Sequence, residues 1–286
     1  MSEAKNQFGG FWTQQKIEIF IKYLFAYLEI MKNQQFKLIY FDGFAGCGRI
    51  ESENSGIEED KFTESVALQV LGIEHPKVFD IYYMVDKHKK RSTLLSRLVK
   101  REFPSLNAHV IRSDCNERLI GMSTYMRRNL NHRSLAFIDP FGMSLNWSSL
   151  EACKGLGIDM WILIPTGVAV NRLLMRNQDG IPESWLKRLE GFYGLPVDEL
   201  RNHFYHTREN LTLFGPETNV RKTENAIERA VDLYRQRLGT IWNHVSRPFP
   251  MKNSTGSTMY HFLMATNNTA GLGIANDIIG KKLNEG

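Results

Sequence analysis

A glycine-rich turn placed directly after a short apolar segment limits the possible folds of this chain more than any other feature. The segment Lys37 to Phe41 is typical of a buried β-strand, and it leads into Asp42-Gly43-Phe44-Ala45-Gly46-Cys47-Gly48. Glycine allows a tight turn and lets a ligand approach backbone amides without a Cβ in the way. In an open α/β sheet, ligands bind where strands end in such turns. The pattern therefore predicts a ligand loop. Its candidate contacts are Asp42, Gly43, Phe44, Ala45, Gly46 and Gly48.

Short apolar strands alternate with helical patterns through the first half of the chain. Further strands are predicted at Phe79 to Val85, Ala108 to Arg112, Ser134 to Ile138 and Met160 to Ile164. Helices are predicted before and between them, at Phe11 to Met31, Thr63 to Gly72, Lys87 to Arg101, Glu117 to Asn129 and Trp147 to Lys154. Alternation of this kind predicts an α/β fold with a mostly parallel, doubly wound sheet and helices on both faces.

The pattern changes after Pro165. Helical periodicity predominates from residue 171 to residue 250 without a convincing strand, and an apolar strand returns at Met259 to Thr266. The last helix is predicted at Ala275 to Leu283. We therefore predict a Rossmann-like domain formed by residues 1–170 and 255–286, with residues 171–254 as an inserted helical subdomain. The insertion is a candidate surface for substrate or partner contact.

Acidic residues follow the second and third predicted strands. Asp86 ends the second strand, where a carboxylate can accept hydrogen bonds from the two ribose hydroxyls of a nucleoside. Asp114 follows the third strand, and with its neighbour Cys115 it is a candidate contact of an adenine ring. Both acids also suit a simple helix cap or Asx-turn, and the sequence leaves these interpretations open.

The fourth strand ends in Asp139-Pro140-Phe141-Gly142, which is the candidate catalytic group. The fixed φ of Pro140 presents its carbonyl rigidly beside the Asp139 carboxylate. Two acceptors at a fixed spacing suit the two N–H bonds of an exocyclic NH2 group, and they would steer the nitrogen lone pair out of conjugation. Phe141 can stack on the ring that carries this amine. The turn therefore predicts binding of a nucleic-acid base.

Positive charge is concentrated in one part of the chain. The net charge is +5, and residues 87–133 hold 12 Lys or Arg against three acids. This cluster suits a phosphate backbone, so RNA or DNA is an expected partner, while a solvated helix face remains the alternative.

No apolar run approaches the ~20 residues that span a bilayer. Three scattered cysteines indicate neither a disulfide framework nor a metal site. We expect a cytoplasmic protein with no membrane or metal partner.

The four turns together resemble the motifs of class I S-adenosylmethionine-dependent methyltransferases. Asp42 to Gly48 matches their first motif, and its F-x-G-x-G form is similar to that of enzymes that methylate exocyclic amines of nucleic-acid bases. Their fourth motif is usually Asp/Asn-Pro-Pro-aromatic. Here Asp139-Pro140-Phe141-Gly142 looks more like the tRNA N2-guanine dimethyltransferases. The resemblance implies S-adenosylmethionine as cofactor and methyl transfer to a base amine as the activity.

At the scale of the whole chain the sequence resembles the three-Cys-motif partner family (TcmP). The resemblance is carried by Trp12…Lys16, Phe41 to Gly48, Phe137 to Gly142 and Tyr260 to Thr266. It implies a partnership with a radical-SAM-like three-cysteine protein. A second hypothesis stays open beside the enzyme, namely a non-catalytic module that binds cofactor or nucleic acid and works with that partner. A nicotinamide site is disfavoured, because the sequence has no G-x-G-x-x-G motif.

Overall fold

The computed structural model describes residues 11–47, 49–50, 63–171, 174, 181–212 and 215–285, so Gly48 of the predicted ligand loop lies outside the described residues. The helices are α1 (Phe11–Met31), α2 (Val66–Leu71), α3 (Lys89–Glu102), α4 (Cys115–Arg128), α5 (Trp147–Glu151), α6 (Glu183–Tyr193), α7 (Val197–Phe204), α8 (Ala226–Leu238) and α9 (Thr269–Asn284). A turn of π-helix, Thr166–Val170, lies between α5 and α6. None of the helices in the described ranges is long and apolar enough to cross a membrane.

In the described part of the chain, the strands form one large sheet and two separate two-stranded ladders. They are β1 (Lys37–Asp42), β2 (Arg49–Ile50), β3 (Thr63–Glu64), β4 (Ile81–Val85), β5 (Ala108–Ile111), β6 (His132–Ile138), β7 (Ile158–Ile164), β8 (Tyr205–Thr212), β9 (Gly215–Lys222), β10 (His244–Val245), β11 (Phe249–Lys252) and β12 (Thr258–Thr266). The large sheet has the order β10-β12-β7-β6-β1-β4-β5, with β11 paired to β12. Strands β1, β4, β5, β6 and β7 are parallel, and β12 runs antiparallel to β7. The predicted α/β fold with a mostly parallel Rossmann-like sheet is therefore confirmed.

The direction in which the sheet is built reverses between β1 and β6. From β1 the chain passes to β4 and β5 on one side, and it then returns to add β6, β7 and β12 on the other side. In open α/β sheets the loops at such a switch point diverge and leave a crevice for ligands outside the carboxyl ends of the strands. The topology thus places the turns after β1 and β6 at the expected binding edge.

Side chains of β1 alternate between two hydrophobic clusters, one on each face of the sheet. Leu38 and Tyr40 belong to the cluster that includes residues of α1, α2 and α9. Ile39 and Phe41 belong to the other cluster, together with residues of α4, α6 and α8. The alternation is the two-residue period of a strand, and burial on both faces explains why the strand is a continuous apolar run in the sequence. Helices α6 and α8, from the predicted insertion, share the core of the sheet.

The expectation that residues 171–250 contain no strand is wrong. Strands β8 and β9 pair as an antiparallel hairpin directly after α7. Strands β10 and β11 join the main sheet through β12. The hairpin is hard to recognise because the β8 sequence YHTRENLT lacks the apolar alternation of a half-buried strand, whereas pairing itself uses backbone groups that nearly every residue has. The division into two domains stays a prediction.

Helix α2 begins later than predicted. The predicted helix starts at Thr63, but Ser65 is the capping residue, and its hydroxyl oxygen accepts a hydrogen bond from the Leu68 N–H at 3.4 Å. Thr63–Glu64 pairs with Arg49–Ile50 in a two-strand ladder. Serine and threonine are both good capping residues, so local sequence does not distinguish the two starts, and strand pairing decides between them.

Candidate functional site

The four acidic turns predicted from the sequence all lie at the carboxyl edge of the sheet. Asp42 ends β1, and Asp86, Asp114 and Asp139 follow β4, β5 and β6. These four strands are parallel and adjacent, so their carboxyl ends lie along one edge. Two cavities open along this edge, and they divide the four carboxylates into two pairs.

The first cavity, named the Asp86 cavity, has a volume of about 390 Å3. It is lined by Gly43, Phe44, Asp86, Lys87, His88, Arg91, Ser113, Asp114, Cys115, Phe141 and Ser144. Pockets for small molecules commonly fall between about 300 and 1,000 Å3. Five of the residues predicted to bind the cofactor therefore line one cavity of suitable size. They are Gly43, Phe44, Asp86, Asp114 and Cys115.

Asp86 is almost fully buried, and its carboxylate already accepts three hydrogen bonds. Arg91 donates to both oxygens, from Nε to Oδ2 at 2.8 Å and from Nη2 to Oδ1 at 3.1 Å. The His88 N–H donates to Oδ1 at 2.6 Å. A carboxylate offers about four acceptor positions, so one position on Oδ2 remains. Asp86 thus lies where a ribose contact is predicted, with room for one further hydrogen bond while Arg91 is in place.

Asp114 caps helix α4 and also lines the Asp86 cavity. Its Oδ1 accepts from the Asn116 N–H at 2.9 Å, and its Oδ2 accepts from Lys87 Nζ at 3.3 Å. Partial burial opposes the charge of Asp114, but hydrogen bonds from Asn116 and Lys87 outweigh burial and lower the pKa of this carboxyl. Asp114 is therefore both the cap of α4 and part of the lining of the Asp86 cavity.

Gly43 packs against the base of the Asp86 cavity where no side chain fits. A Cβ at this position would lie 2.5 Å from Cys115 Sγ and 2.9 Å from Ile138 Cδ1. Cys115 is itself buried, and burial raises the pKa of its thiol far above the ordinary range. A thiol in such surroundings is inert, so Cys115 serves as packing beneath the loop.

Gly43→Ala is expected to lower the free energy of unfolding by about 1–3 kcal/mol, because the added methyl group overpacks this contact. Gly273→Ala is the matched control, since a Cβ there meets nothing within 4 Å. Alanine in the interior of helix α9 should stabilise the protein by about 0.5–1 kcal/mol. Urea unfolding followed by circular dichroism measures both changes. Wild-type stability of the Gly43→Ala protein would contradict the close contact with Cys115.

The second cavity, named the Lys16 cavity, has a volume of about 440 Å3. Its lining residues are Thr13, Lys16, Ile17, Asp42, Phe44, Ala45, Gly46, Cys47, Ser65, Val66, Arg91, Phe137, Asp139 and Phe141. Inside it, Lys16 of α1 forms an ion pair with Asp139, and the Lys16 and Asp139 side chains are 5% and 29% exposed. Within the described residues, no group of three or more His, Cys, Asp or Glu side chains is placed to hold a metal ion. The Lys16 cavity thus holds the predicted catalytic carboxylate, Asp139, next to the buried ammonium of Lys16.

Asp42 is the second carboxylate of the Lys16 cavity. It accepts hydrogen bonds from the Phe44 N–H at 3.0 Å and from the Tyr40 hydroxyl at 3.2 Å. Burial is the main cause that raises the pKa of Asp42 to about 7; the charge of Asp139 adds to it, while the two hydrogen bonds and Lys16 act in the opposite direction. Asp42 can therefore take up or release a proton near neutral pH, a property common among groups at functional sites.

Three side chains form the wall between the two cavities, because Phe44, Arg91 and Phe141 line both. The rings of Phe44 and Phe141 have centroids 6.4 Å apart and planes inclined by 80°. The guanidinium carbon of Arg91 lies 5.1 Å from the Phe141 ring centroid. Within the candidate catalytic turn, Pro140 is buried, Gly142 reverses the chain with a φ of +60°, and Phe141 is 55% exposed. A large exposed aromatic ring at a cavity mouth offers a surface for a planar ligand.

Sequence reasoning did not single out Lys16 or Arg91 as site residues. Lys16 lies on the buried face of α1, four residues before Phe20 and eight before Leu24, so a lysine within an apolar stripe was the available signal. Arg91 belongs to the basic helix α3. Its neighbours Lys89 and Lys90 are also basic, and the sequence alone does not indicate which cation turns toward Asp86.

No protein-family model matches the sequence, and no curated protein matches it. One similar structure is protein LPL1258 of Legionella pneumophila, family DUF519, with a TM-score of 0.44 and 11% identity over 91% of this chain and 99% of that chain. Another is Trm1 of Pyrococcus horikoshii in complex with S-adenosyl-L-methionine, with a TM-score of 0.42 and 9% identity over 97% of this chain and 61% of that chain. Spermidine synthase of Thermotoga maritima has a TM-score of 0.39 and 10% identity over 90% and 62% of the two chains. At these values the likenesses assign neither a family nor a function.

Proposed function

We propose that this protein is an S-adenosylmethionine-dependent methyltransferase that acts on an exocyclic amine of a nucleic-acid base. The observation that carries the proposal is the pair of adjoining cavities at the switch point of the sheet, which share the wall of Phe44, Arg91 and Phe141. A methyl donor and an amine held in neighbouring cavities react mainly because they are aligned, and good alignment is worth about 7–11 kcal/mol of the barrier.

The residues of the Asp86 cavity fit the adenosine part of the cofactor. Asp86 offers a buried carboxylate for ribose hydroxyls, and Asp114 offers a second one for the adenine amino group. On the side of the Lys16 cavity, Gly46 has a φ of +71° and open space where a Cβ would be, so the loop backbone is uncovered there. When bound, S-adenosylmethionine would supply the electrophilic methyl group.

The residues around Asp139 fit the acceptor base. Phe141 offers an exposed ring on which a base can stack. The Asp139 carboxylate can accept one N–H bond of the amine, and the Pro140 carbonyl is the second predicted acceptor. Methyl transfer would form an N–C bond while the S–CH3 bond of the donor breaks, with S-adenosylhomocysteine as the leaving thioether, and the Asp139 carboxylate can receive the one proton that the nitrogen releases. Asp42, whose pKa is raised to about 7 by burial, lies in the same cavity and can share this proton.

The proposed polyanionic substrate is supported by charge at the cavity mouth. Lys87, which lines the Asp86 cavity, and the neighbouring Lys89 and Lys90 are exposed. Exposed cations beside a cavity attract phosphates of RNA or DNA without reading sequence. The resemblance to TcmP proteins adds a second proposed partner, a radical-SAM-like three-cysteine protein. The predicted insertion, residues 171–254, is the proposed contact surface.

The Asp86–Arg91 ion pair favours a second candidate function, a non-catalytic binding module. A carboxylate whose two oxygens are held by an arginine is not free to accept both ribose hydroxyls. Such a module would keep the fold and act through nucleic acid or the partner protein. The two candidates differ in whether the purified protein binds and uses the cofactor.

Titration calorimetry with S-adenosylmethionine tests the proposal first. We expect saturable one-to-one binding, followed by transfer of tritiated methyl groups to total RNA or genomic DNA. Nucleoside digestion and mass spectrometry should then place the label on a base amine. Absence of heat at about 1 mM cofactor, where even a weak site would be half filled, would contradict the enzyme and favour the binding module.

A further inference from the structure

One side chain, Arg91, contacts the principal binding groups of both cavities. Its Nε and Nη2 atoms hold the two oxygens of Asp86 at 2.8 and 3.1 Å. Its guanidinium also lies 5.1 Å from the centroid of the Phe141 ring. Asp86 is the proposed ribose acceptor and Phe141 the proposed stacking surface for the base. The same guanidinium therefore covers a contact needed by the cofactor and a contact needed by the substrate.

We propose that Arg91 is a positioning residue that couples the two cavities: it competes with the cofactor ribose for Asp86, and its release frees for the base the part of the half-exposed Phe141 ring that the guanidinium contacts. The inference rests on the proposed function and adds an order of events to it. The cofactor binds first and displaces Arg91, and the base then stacks on the exposed ring. Arg91, released as a cation at the mouth of both cavities, is then available to a phosphate of the nucleic acid.

The number of acceptor positions on Asp86 makes the two partners mutually exclusive. A ribose offers two hydroxyl donors, but Arg91 and the His88 N–H leave one acceptor position on the carboxylate. When Arg91 leaves, two positions are added, which is enough for both hydroxyls. The His88 N–H remains, so Asp86 is not left without a hydrogen bond during the exchange.

The partial exposure of Arg91 gives its side chain a route away from Asp86. Its side chain is 37% exposed, whereas the Asp86 side chain is 2% exposed, so the guanidinium can move into water while the carboxylate stays. The released guanidinium regains conformational freedom in water, but the buried Asp86 carboxylate then keeps only the His88 N–H, so the two ribose hydroxyls have to replace the hydrogen bonds of the arginine. Lys87 covers Asp114 in the same manner at 3.3 Å, with an 81% exposed side chain. Lys87, just before α3, and Arg91, in the first turn of α3, thus shield the two proposed nucleoside-binding acids, Asp114 and Asp86.

Calorimetric titration with S-adenosylhomocysteine tests the competition without requiring a substrate. Arg91→Met should bind this ligand about 3- to 10-fold more tightly than the wild type. Arg91→Lys keeps the charge without the bidentate fork, so its affinity should lie between the two. Lys90→Met is the matched control, because it removes one exposed cation from the same turn of α3. If Arg91→Met binds no more tightly than Lys90→Met, the competition is overturned.

A double-mutant cycle tests the coupling to the ring. Phe141→Ala removes the cation–π partner of Arg91, so it should tighten S-adenosylhomocysteine binding by about 2- to 5-fold. In the Arg91→Met background the same substitution should have no effect. An equal effect in both backgrounds, or weaker binding by Phe141→Ala, overturns the coupling. If neither the wild type nor any variant binds the ligand, the proposed function itself fails, and the role of Arg91 fails with it.

Discussion

Asp139→Ala is expected to lower methyl transfer by about 10²- to 10⁴-fold while cofactor affinity stays within about twofold, because the lost carboxylate acts on the acceptor amine. Asp139 lies in the Lys16 cavity, on the far side of the wall from Asp86 and Asp114. Its loss removes an acceptor for one N–H bond and the group that receives the released proton. Tritiated-methyl transfer to total RNA and genomic DNA measures activity, and calorimetry measures cofactor affinity.

The Asp139→Ala experiment needs a further control because Asp139 forms an ion pair with Lys16. Asp139→Ala leaves the buried ammonium of Lys16 without its carboxylate, and an uncompensated buried charge can destabilise the fold. The double variant Lys16→Met with Asp139→Ala removes both charges, so it separates lost chemistry from lost stability. Exposed Asp277→Ala should behave as the wild type. Wild-type transfer rates in a folded Asp139→Ala protein would show that this turn does not hold the acceptor.

The second large expected effect is a change in the free energy of unfolding with pH, which is caused by Asp42. Burial raises the pKa of Asp42 from 3.8 to about 7, so the folded state binds a proton between these values that the unfolded state has lost. Its contribution to stability is therefore fully present below about pH 4 and is lost as pH rises through about 7. The decline amounts to roughly 4 kcal/mol, since each unit of pKa difference corresponds to about 1.4 kcal/mol.

Asp42→Asn should remove this decline, because asparagine stays neutral. The variant should match the wild type near about pH 4 and exceed its stability near about pH 8 by up to roughly 4 kcal/mol. The charged and titratable groups that act on Asp42 are Tyr40, Lys16 and Asp139, and Cys115 is coupled to it across the sheet. Urea unfolding across this range measures the difference, with exposed Asp277→Asn as control. Parallel curves for the wild type and Asp42→Asn would show that folding does not raise the pKa of Asp42.

Most of the sheet could be predicted from local patterns, and the exceptions have physical causes. Strands β1, β6 and β7 are short, mostly apolar runs that are largely buried, whereas β4 and the edge strand β5 are only partly buried but are still indicated by their β-branched and aromatic residues. The polar hairpin β8–β9 could not be predicted, because its strands pair through backbone groups and their side chains show no apolar alternation. The predicted start of α2 is too early because Thr63 and Ser65 both suit a helix cap, and the pairing of Thr63 with β2 leaves Ser65 as the cap.

The sequence by itself determined which residues end the parallel strands. Asp42, Asp86, Asp114 and Asp139 follow apolar runs, and parallel strands must bring their carboxyl ends to one edge whatever the helices do. The glycine loop and the Asp139 turn could therefore be named as candidates before any packing was known. The sequence carries that information, because the end of an apolar strand is a property of the local segment and the alternation of strands with helices favours parallel strands.

The tertiary structure alone decided how these groups are paired and charged. Lys16 and Asp139 are 123 positions apart in the chain, and Arg91 reaches Asp86 and Phe141 from a helix with many equivalent cations. The pKa of Asp42 depends on burial beneath α1 and on charges that arrive from distant segments. Electrostatic energies depend on distance and on exclusion of water, and neither quantity exists until the helices pack on the sheet. For that reason the carboxylates could be predicted from the sequence, whereas the cations that control them had to be found in the fold.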